Sequence, residues 1–320
     1  MKIILRNNTN RTFLAMQKIN EIRWFSHNGS SETTREVNFD FIDFKKKLPG
    51  QKKWTKDFEL FLIWFIGFSE GDGSFITDPK NKRNFFFLVQ ADPKVLYLIK
   101  DKLGFGNVQF HDSKKNYYRF SISDQKEIDL LIRIFNGNLQ LNKTEKRFLQ
   151  WFEIYNQYTK VKDKVDFKGN NSIPGRFISL ENPWLTGFID AEGCFNAGLK
   201  KSLTISGYNM QLRFIIDQKG EKELLNQILT VLGWGILNNR YQVTDMQRIT
   251  LTSNKKETYL SLIMYLDKYK LKTNKILSYK RWKRAFHYAN QDKLREIVKQ
   301  PKILKKVQRL LQSINQNLKI

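Results

Sequence analysis

The 320-residue sequence predicts an α+β protein made of two copies of one αββαββα module, each a four-stranded antiparallel sheet with its helices on a single face. Two observations carry that expectation. Short words recur in the same order in the two parts of the chain, and within each copy stretches of period two alternate with stretches of period 3.6.

The repeat begins at FIGFSEGDGSF (65–75) and LTGFIDAEGCF (185–195), which share a frame of Gly, Phe, acid, small residue, acid, Gly and Phe. FFLVQ (86–90) is answered by FIIDQ (214–218), and LGFG (103–106) by LGWG (232–235). YRFSIS (118–123) is answered by QRITLT (247–252), and LQLNK (139–143) by LKTNK (271–275). An aromatic cluster holding Trp151 or Trp282 follows each of these last two words. The copies span 58–160 and 182–290. The segment between them, 161–181, contains KGNNSIPG and has linker composition. Residues 1–57 form an N-terminal extension with no partner in the repeat, and 291–320 a basic helical tail.

Each element follows from its pattern. Apolar helices are expected over 58–72 and 182–192, ending at the double-acid motif. Strands follow at Ser74 to Thr77 and, after the PKNKRN turn, at Phe85 to Gln90. In the second copy Leu224, Leu225, Ile228, Leu229 and Leu232 trace one face of a helix. In the next strands Tyr118, Phe120 and Ile122 alternate with Arg119, Ser121 and Ser123, one face buried and the other polar. A last helix carries Ile128, Leu131, Ile134 and Phe135. In the tail, Ile303, Leu304, Val307, Leu310, Leu311 and Ile314 form one apolar stripe, expected either to dock or to present an added phosphate-contacting arm.

Composition narrows the function. Hydrophobic residues make up 41%, enough for a core, so wholesale disorder is excluded. Lys and Arg number 56 against 31 acids, a formal charge of +25 that calls for a polyanionic partner, nucleic acid ahead of an anionic membrane. A lone cysteine, Cys194, forms no internal disulfide and is expected as a buried, inert thiol. Three histidines argue against a zinc cluster or a His-based triad. The apolar run FELFLIWFIGF (58–68) is too short to span a bilayer and runs into acids. Lys2, Arg6, Arg11 and Lys18 without an acid loosely resemble a transit peptide, or are simply a basic extension.

The motif spacing suggests a site. Gly67 and Gly71 lie four apart, as do Gly187 and Ala191, so each pair shares a helix face where backbones can approach closely. If the two helices pack in parallel, Asp72 and Glu192 meet at their ends. Two adjacent carboxylates at two helix C-termini repel, and a divalent cation relieves them. The bland alternative is that each acid caps its own helix end.

GFSEGDG and GFIDAEG resemble the LAGLIDADG motif of homing endonucleases, in the single-chain, two-motif form, over residues 58–290. The resemblance implies two halves joined through the motif helices, each laying its sheet in the DNA major groove. It implies metal binding (Mg²⁺ or Mn²⁺) by Asp72 and Glu192, with Gln90, Gln218, Lys143 and Lys275 near the cleaved phosphates. Lys272 rivals Lys275 in register. Glu70 and Asp190 are expected to cap or pair locally. Arg119, Ser121, Ser123, Arg213, Arg248, Thr250 and Thr252 are candidate base readers. The implied activity is hydrolysis of one phosphodiester per strand of a long, pseudo-palindromic duplex, leaving short 3′ overhangs. The protein would act as a monomer with no membrane partner. An RNA maturase bound to its own group I intron, possibly bifunctional, is one alternative, and a DNA-binding regulator is another. Abundant Lys, Asn, Ile and Phe fit an AT-rich organellar gene, mitochondrial or, alternatively, chloroplast.

Overall fold

The computed structural model describes residues 39–48, 54–112, 116–159, 164–169, 178–204, 206–241, 244–251, 257–289 and 291–316. The elements of the first half are α1 (Ile42–Lys47), α2 (Lys56–Asp72), β1 (Gly73–Asp78), β2 (Arg83–Gln90), α3 (Lys94–Leu103), β3 (Asn107–Asp112), β4 (Tyr117–Ile122), α4 (Gln125–Phe135) and α5 (Asn142–Tyr158). The second half repeats the order as α6 (Trp184–Glu192), β5 (Cys194–Lys201), β6 (Tyr208–Lys219), α7 (Lys222–Leu232), β7 (Ile236–Tyr241), β8 (Thr244–Leu251), α8 (Glu257–Lys268) and α9 (Lys275–Tyr288). The tail forms α10 (Gln291–Val298) and α11 (Pro301–Ser313).

The two sheets have the same order, β1-β2-β4-β3 and β5-β6-β8-β7, with all neighbours antiparallel. In each, one strand face supplies the core. Phe86, Leu88, Phe120 and Ile122 are buried in the first half, and Leu212, Phe214, Ile216 and Ile249 in the second. The repeated LG words are helix stops. Gly104 and Gly233 follow α3 and α7 in the left-handed conformation (φ 83° and 79°), where a side chain would be strained.

Helix α2 starts at Thr55, whose hydroxyl accepts the Phe58 N–H at 3.1 Å. It is apolar on all sides because it is covered on all sides, with Phe61, Leu62, Trp64, Phe65, Ile66 and Phe68 buried. One flank meets its own sheet through Phe65 and Phe86, and the other meets α6.

The structure adds to the sequence reading at its margins. Each module carries one more helix than αββαββα, α5 or α9, and these bring Trp151 and Trp282 against Phe75 and Phe195 at the start of each sheet. Residues 39–48, assigned above to the extension, carry the short α1. Its Phe44 and the preceding Phe41 are buried against Trp54, and Phe44 also meets Phe58. The described piece of the linker also packs. Phe167 sits on Phe148 and Phe152, and Lys168 pairs with Asp40 and Asp43. The tail is docked, with Leu294, Val307, Leu311 and Ile314 buried and the Arg281 guanidinium holding the Ser313 carbonyl at 2.6 Å. Residues 1–38, most of the linker and Thr252 lie outside the described residues. Among the described residues no helix is long and apolar enough to cross a membrane.

Candidate active site at the helix seam

Helices α2 and α6 touch backbone to backbone. A Cβ built on Gly67 would lie 2.1 Å from the Trp184 carbonyl oxygen, and one on Gly187 would lie 2.0 Å from that of Trp64. Gly71 faces Ala191 so closely that a methyl there would come within 2.3 Å of the Ala191 Cβ. The same methyl would lie 3.0 Å from the Glu192 Cγ. Hydrogen bonds then lock the seam in both directions. The Trp64 indole donates to Asp190 at 2.9 Å, and the Trp184 indole donates to Glu70 at 2.7 Å.

Glu70 and Asp190 are both buried and each does two jobs. Glu70 accepts the backbone N–H groups of Gln140 and Leu141, each at 2.7 Å. Asp190 accepts those of Lys272 and Thr273 at 2.8 and 3.0 Å, and the Thr273 hydroxyl at 2.6 Å. They pair across the seam as well as within their own halves, and they fix the segments that carry Lys143 and Lys275. That pairing across the seam goes beyond the local capping expected of them.

Asp72 and Glu192, the last residues of the two helices, are therefore delivered to one place, each partly exposed. Burial pushes the Asp72 carboxyl up to about 6. The Lys275 ammonium opposes that rise, the Glu192 anion reinforces it, and the Gln90 amide opposes it. Gln90 and Gln218 lie on the core side of β2 and β6, in step with Phe86–Leu88 and Phe214–Ile216, so they point back at the helix ends rather than out into solvent. Gln90 donates its amide to Asp72 at 2.7 Å. Gln218 accepts a short hydrogen bond from the Lys143 ammonium.

Burial lowers the affinity of both site lysines for their protons. Glu192 and Glu221 counteract this at Lys143, and Asp190, Asp72 and Glu192 do so at Lys275. Lys275 donates to the carbonyls of Ile189 and Ala191 at 3.0 and 2.9 Å, capping the end of α6. Its rival Lys272 is turned away, its ammonium 5.5 Å from the centre of the Trp64 ring.

Sequence reasoning missed Glu221. It is buried in the second half, yet its carboxylate accepts the N–H groups of Lys143 and Asn142 in the first half, at 2.8 and 3.3 Å. The signal lay in the repeated words. In LKTNK the Thr273 hydroxyl serves the Lys275 N–H at 3.2 Å, whereas LQLNK has Leu141 there, which cannot. The start of α5 needed an acceptor from elsewhere.

Of the candidate base readers, Arg119, Ser121, Arg213, Arg248 and Thr250 lie on the strand faces turned away from the core, and Ser123 is exposed just past the end of β4. Arg248 is paired with Asp217 by two bonds of 2.6 and 2.7 Å, and Arg213 with Gln211 at 2.6 Å. Cys194 corrects the sequence reading. It is exposed, because as the first residue of β5 it pairs with Ile215 on the open face of the sheet.

A model of the LAGLIDADG endonuclease family matches residues 65–155 and 185–286. A relative from Neurospora crassa, named "Probable intron-encoded endonuclease 4", is 34% identical over 227 residues, covering 69% of this chain and 39% of its own length. The chain thus matches well under half of that relative. The "Uncharacterized cox1 intron-2 37.2 kDa protein" of Schizosaccharomyces pombe is 27% identical over 83% of this chain and 76% of its own. Further relatives include an intron-encoded RNA maturase of Saccharomyces cerevisiae, 27% identical over 57% of this chain and 29% of its own. The fold is similar to that of the LAGLIDADG meganuclease I-AabMI bound to uncleaved DNA. The match has a TM-score of 0.62 at 22% identity and covers 80% of this chain and 99% of that one.

Proposed function

The chain belongs to the LAGLIDADG endonuclease family, and from that premise we propose that it is a site-specific DNA endonuclease that cuts one phosphodiester on each strand of a long, pseudo-palindromic duplex. One observation carries the reading. The glycine contacts of α2 and α6 bring two carboxylates, Asp72 and Glu192, to a single point flanked by Lys143, Lys275, Gln90 and Gln218. The halves differ in sequence, so the target is only pseudo-symmetric, and short 3′ overhangs are expected from the family.

The donor set suits a divalent cation of the Mg²⁺ or Mn²⁺ kind. Asp72 and Glu192 offer hard oxygen ligands, and the raised Asp72 carboxyl marks an anion that burial leaves poorly solvated until a cation meets it. With two carboxylates as protein ligands, the rest of the coordination shell would come from water and phosphate oxygens. The ion would supply an activated water and charge neutralisation at the leaving oxygen. The chain's own residues do the rest. Lys143 and Lys275 hold positive charge where negative charge develops, in a half-buried setting that strengthens it. Gln90 orients Asp72, and Gln218 orients Lys143.

An organellar intron origin, mitochondrial rather than chloroplast, is supported by a relative named for a cox1 intron. The maturase among the relatives keeps a second role in RNA splicing open to test. A cleavage selection from a randomised duplex pool with Mg²⁺ tests the main reading. The expected result is cutting of both strands at one recovered sequence, abolished by chelation and by Asp72→Asn. Tight duplex binding without cutting from any pool would overturn it and put the splicing role first.

A further inference from the structure

The open faces of the two sheets are chemically unlike. Phe86 of β2 corresponds in the repeat to Phe214 of β6, so Arg83, Phe85, Phe87 and Val89 correspond to Gln211, Arg213, Ile215 and Asp217. In the second sheet these positions are mostly polar and already engaged in hydrogen bonds, Arg213 with Gln211 and Asp217 with Arg248. In the first they form a row. The Arg83 guanidinium lies 5.5 Å from the Phe85 ring centre, and Phe85 and Phe87 stack with centroids 6.1 Å apart and planes 15° from parallel. The Arg119 guanidinium lies 4.8 Å from the Phe87 ring. Ile76, opposite Phe85, is 46% exposed, and Val89, opposite Arg119, is 38% exposed.

An apolar strip closed at both ends by guanidinium groups is an unusual surface to leave in water. Its charges suit a polyanion, and its centre suits a ligand that displays apolar groups between two phosphate strands. The major groove of a duplex has this character wherever thymine presents its C5-methyl group. We propose that the open face of the first sheet reads thymine methyl groups in one half-site, through Ile76, Phe85, Phe87 and Val89, while the second sheet reads the other half-site by hydrogen bonds. This inference rests on the DNA endonuclease reading and adds the chemistry of its target.

Replacing thymine by deoxyuridine removes the methyl and nothing else, which makes the test direct. The full chain, with metal chelated, is titrated onto the duplex recovered by selection, with uracil in one half-site, the other or both. Uracil in one half-site should weaken binding about four-fold per contacted thymine, and uracil in the other should leave it unchanged. A Phe85→Ser/Phe87→Ser variant alters only the open face. Its folding is checked by thermal melting, and it should lose most of the discrimination between thymine and uracil duplexes. Equal sensitivity in the two half-sites, no sensitivity in either, or discrimination retained by the variant would each overturn the proposal. Tight binding of a single-stranded RNA that the variant loses, with duplex binding intact, would overturn it too and give the face to RNA. Tight, methyl-insensitive duplex binding with cleavage would leave the endonuclease reading standing. Failure to cut or bind any duplex would remove both.

Discussion

Asp72 shows what the seam does to a single group. Its folded carboxyl titrates near 6 against an ordinary value of 3.8, chiefly because it is buried. The metal-free folded chain therefore holds this proton more tightly than the unfolded chain. The associated stability is complete below about pH 4 and is lost as the pH rises through 6, a difference on the order of 2–3 kcal/mol. Asp72→Asn should accordingly raise the melting temperature of the metal-free protein at pH 8 by a few degrees while abolishing cleavage. A lower melting temperature at pH 8 would contradict that account. The same accounting predicts that divalent cation binding weakens below pH 6, where the proton competes for the ligand. At this scale much was legible. Gln90 and Gln218 stood in repeated words, and strand parity turned both towards the helix ends. Cys194 was misread because its exposure depends on which face of β5 its register gives it, and a motif match cannot supply that. Glu221 was missed because Leu141 in place of a threonine shows only that the start of α5 lacks an acceptor, and the residue that supplies one lies in the other half.

Among the elements, the paired motif helices are the most exacting. Gly67 and Gly187 each stand against a backbone carbonyl, which cannot swing aside as a side-chain tip can. Gly187→Ala should cost roughly 2–3 kcal/mol, measured by denaturant unfolding. Gly198→Ala is the control. It lies in β5, and a methyl there meets nothing within 4 Å, so it should be neutral or slightly stabilising. A mild effect at Gly187 would mean that α2 and α6 leave room for a methyl between their backbones. The spacing of small residues made this contact readable in the sequence, since glycine four apart in a soluble helix needs a reason. The short α1 was not readable. It has no counterpart in the repeat, and its few apolar residues declare themselves only once Phe44 and Phe41 are seen against Trp54. The alternating strands were clear because period two survives wherever one face is buried and the other is not.

Across the whole molecule the halves are similar without being equivalent. Lys143 is held by Gln218 and Glu221 of the opposite half, whereas Lys275 is held by Thr273 and the carbonyls of its own. Removing Glu221 should therefore disturb one lysine and spare the other. With Glu221→Ala, cleavage of one strand should slow by about ten-fold or more while the other changes little, so that a nicked circle accumulates before linear product. Partial rescue by Glu221→Gln, which keeps one acceptor oxygen, would separate positioning from charge. Equal slowing of both strands would show that Glu221 acts only through overall stability. The chain's two-part plan was legible from its repeat, but this dependence was not, because it arises where the copies differ.

The crossed indole contacts carry a consequence for inheritance. Trp64 answers to Asp190 and Trp184 to Glu70, so neither motif can drift without its counterpart in the distant half. A chimera grafting one half onto a cousin's should succeed only where donor and recipient keep the same tryptophan–acid vocabulary, however well their sheets match.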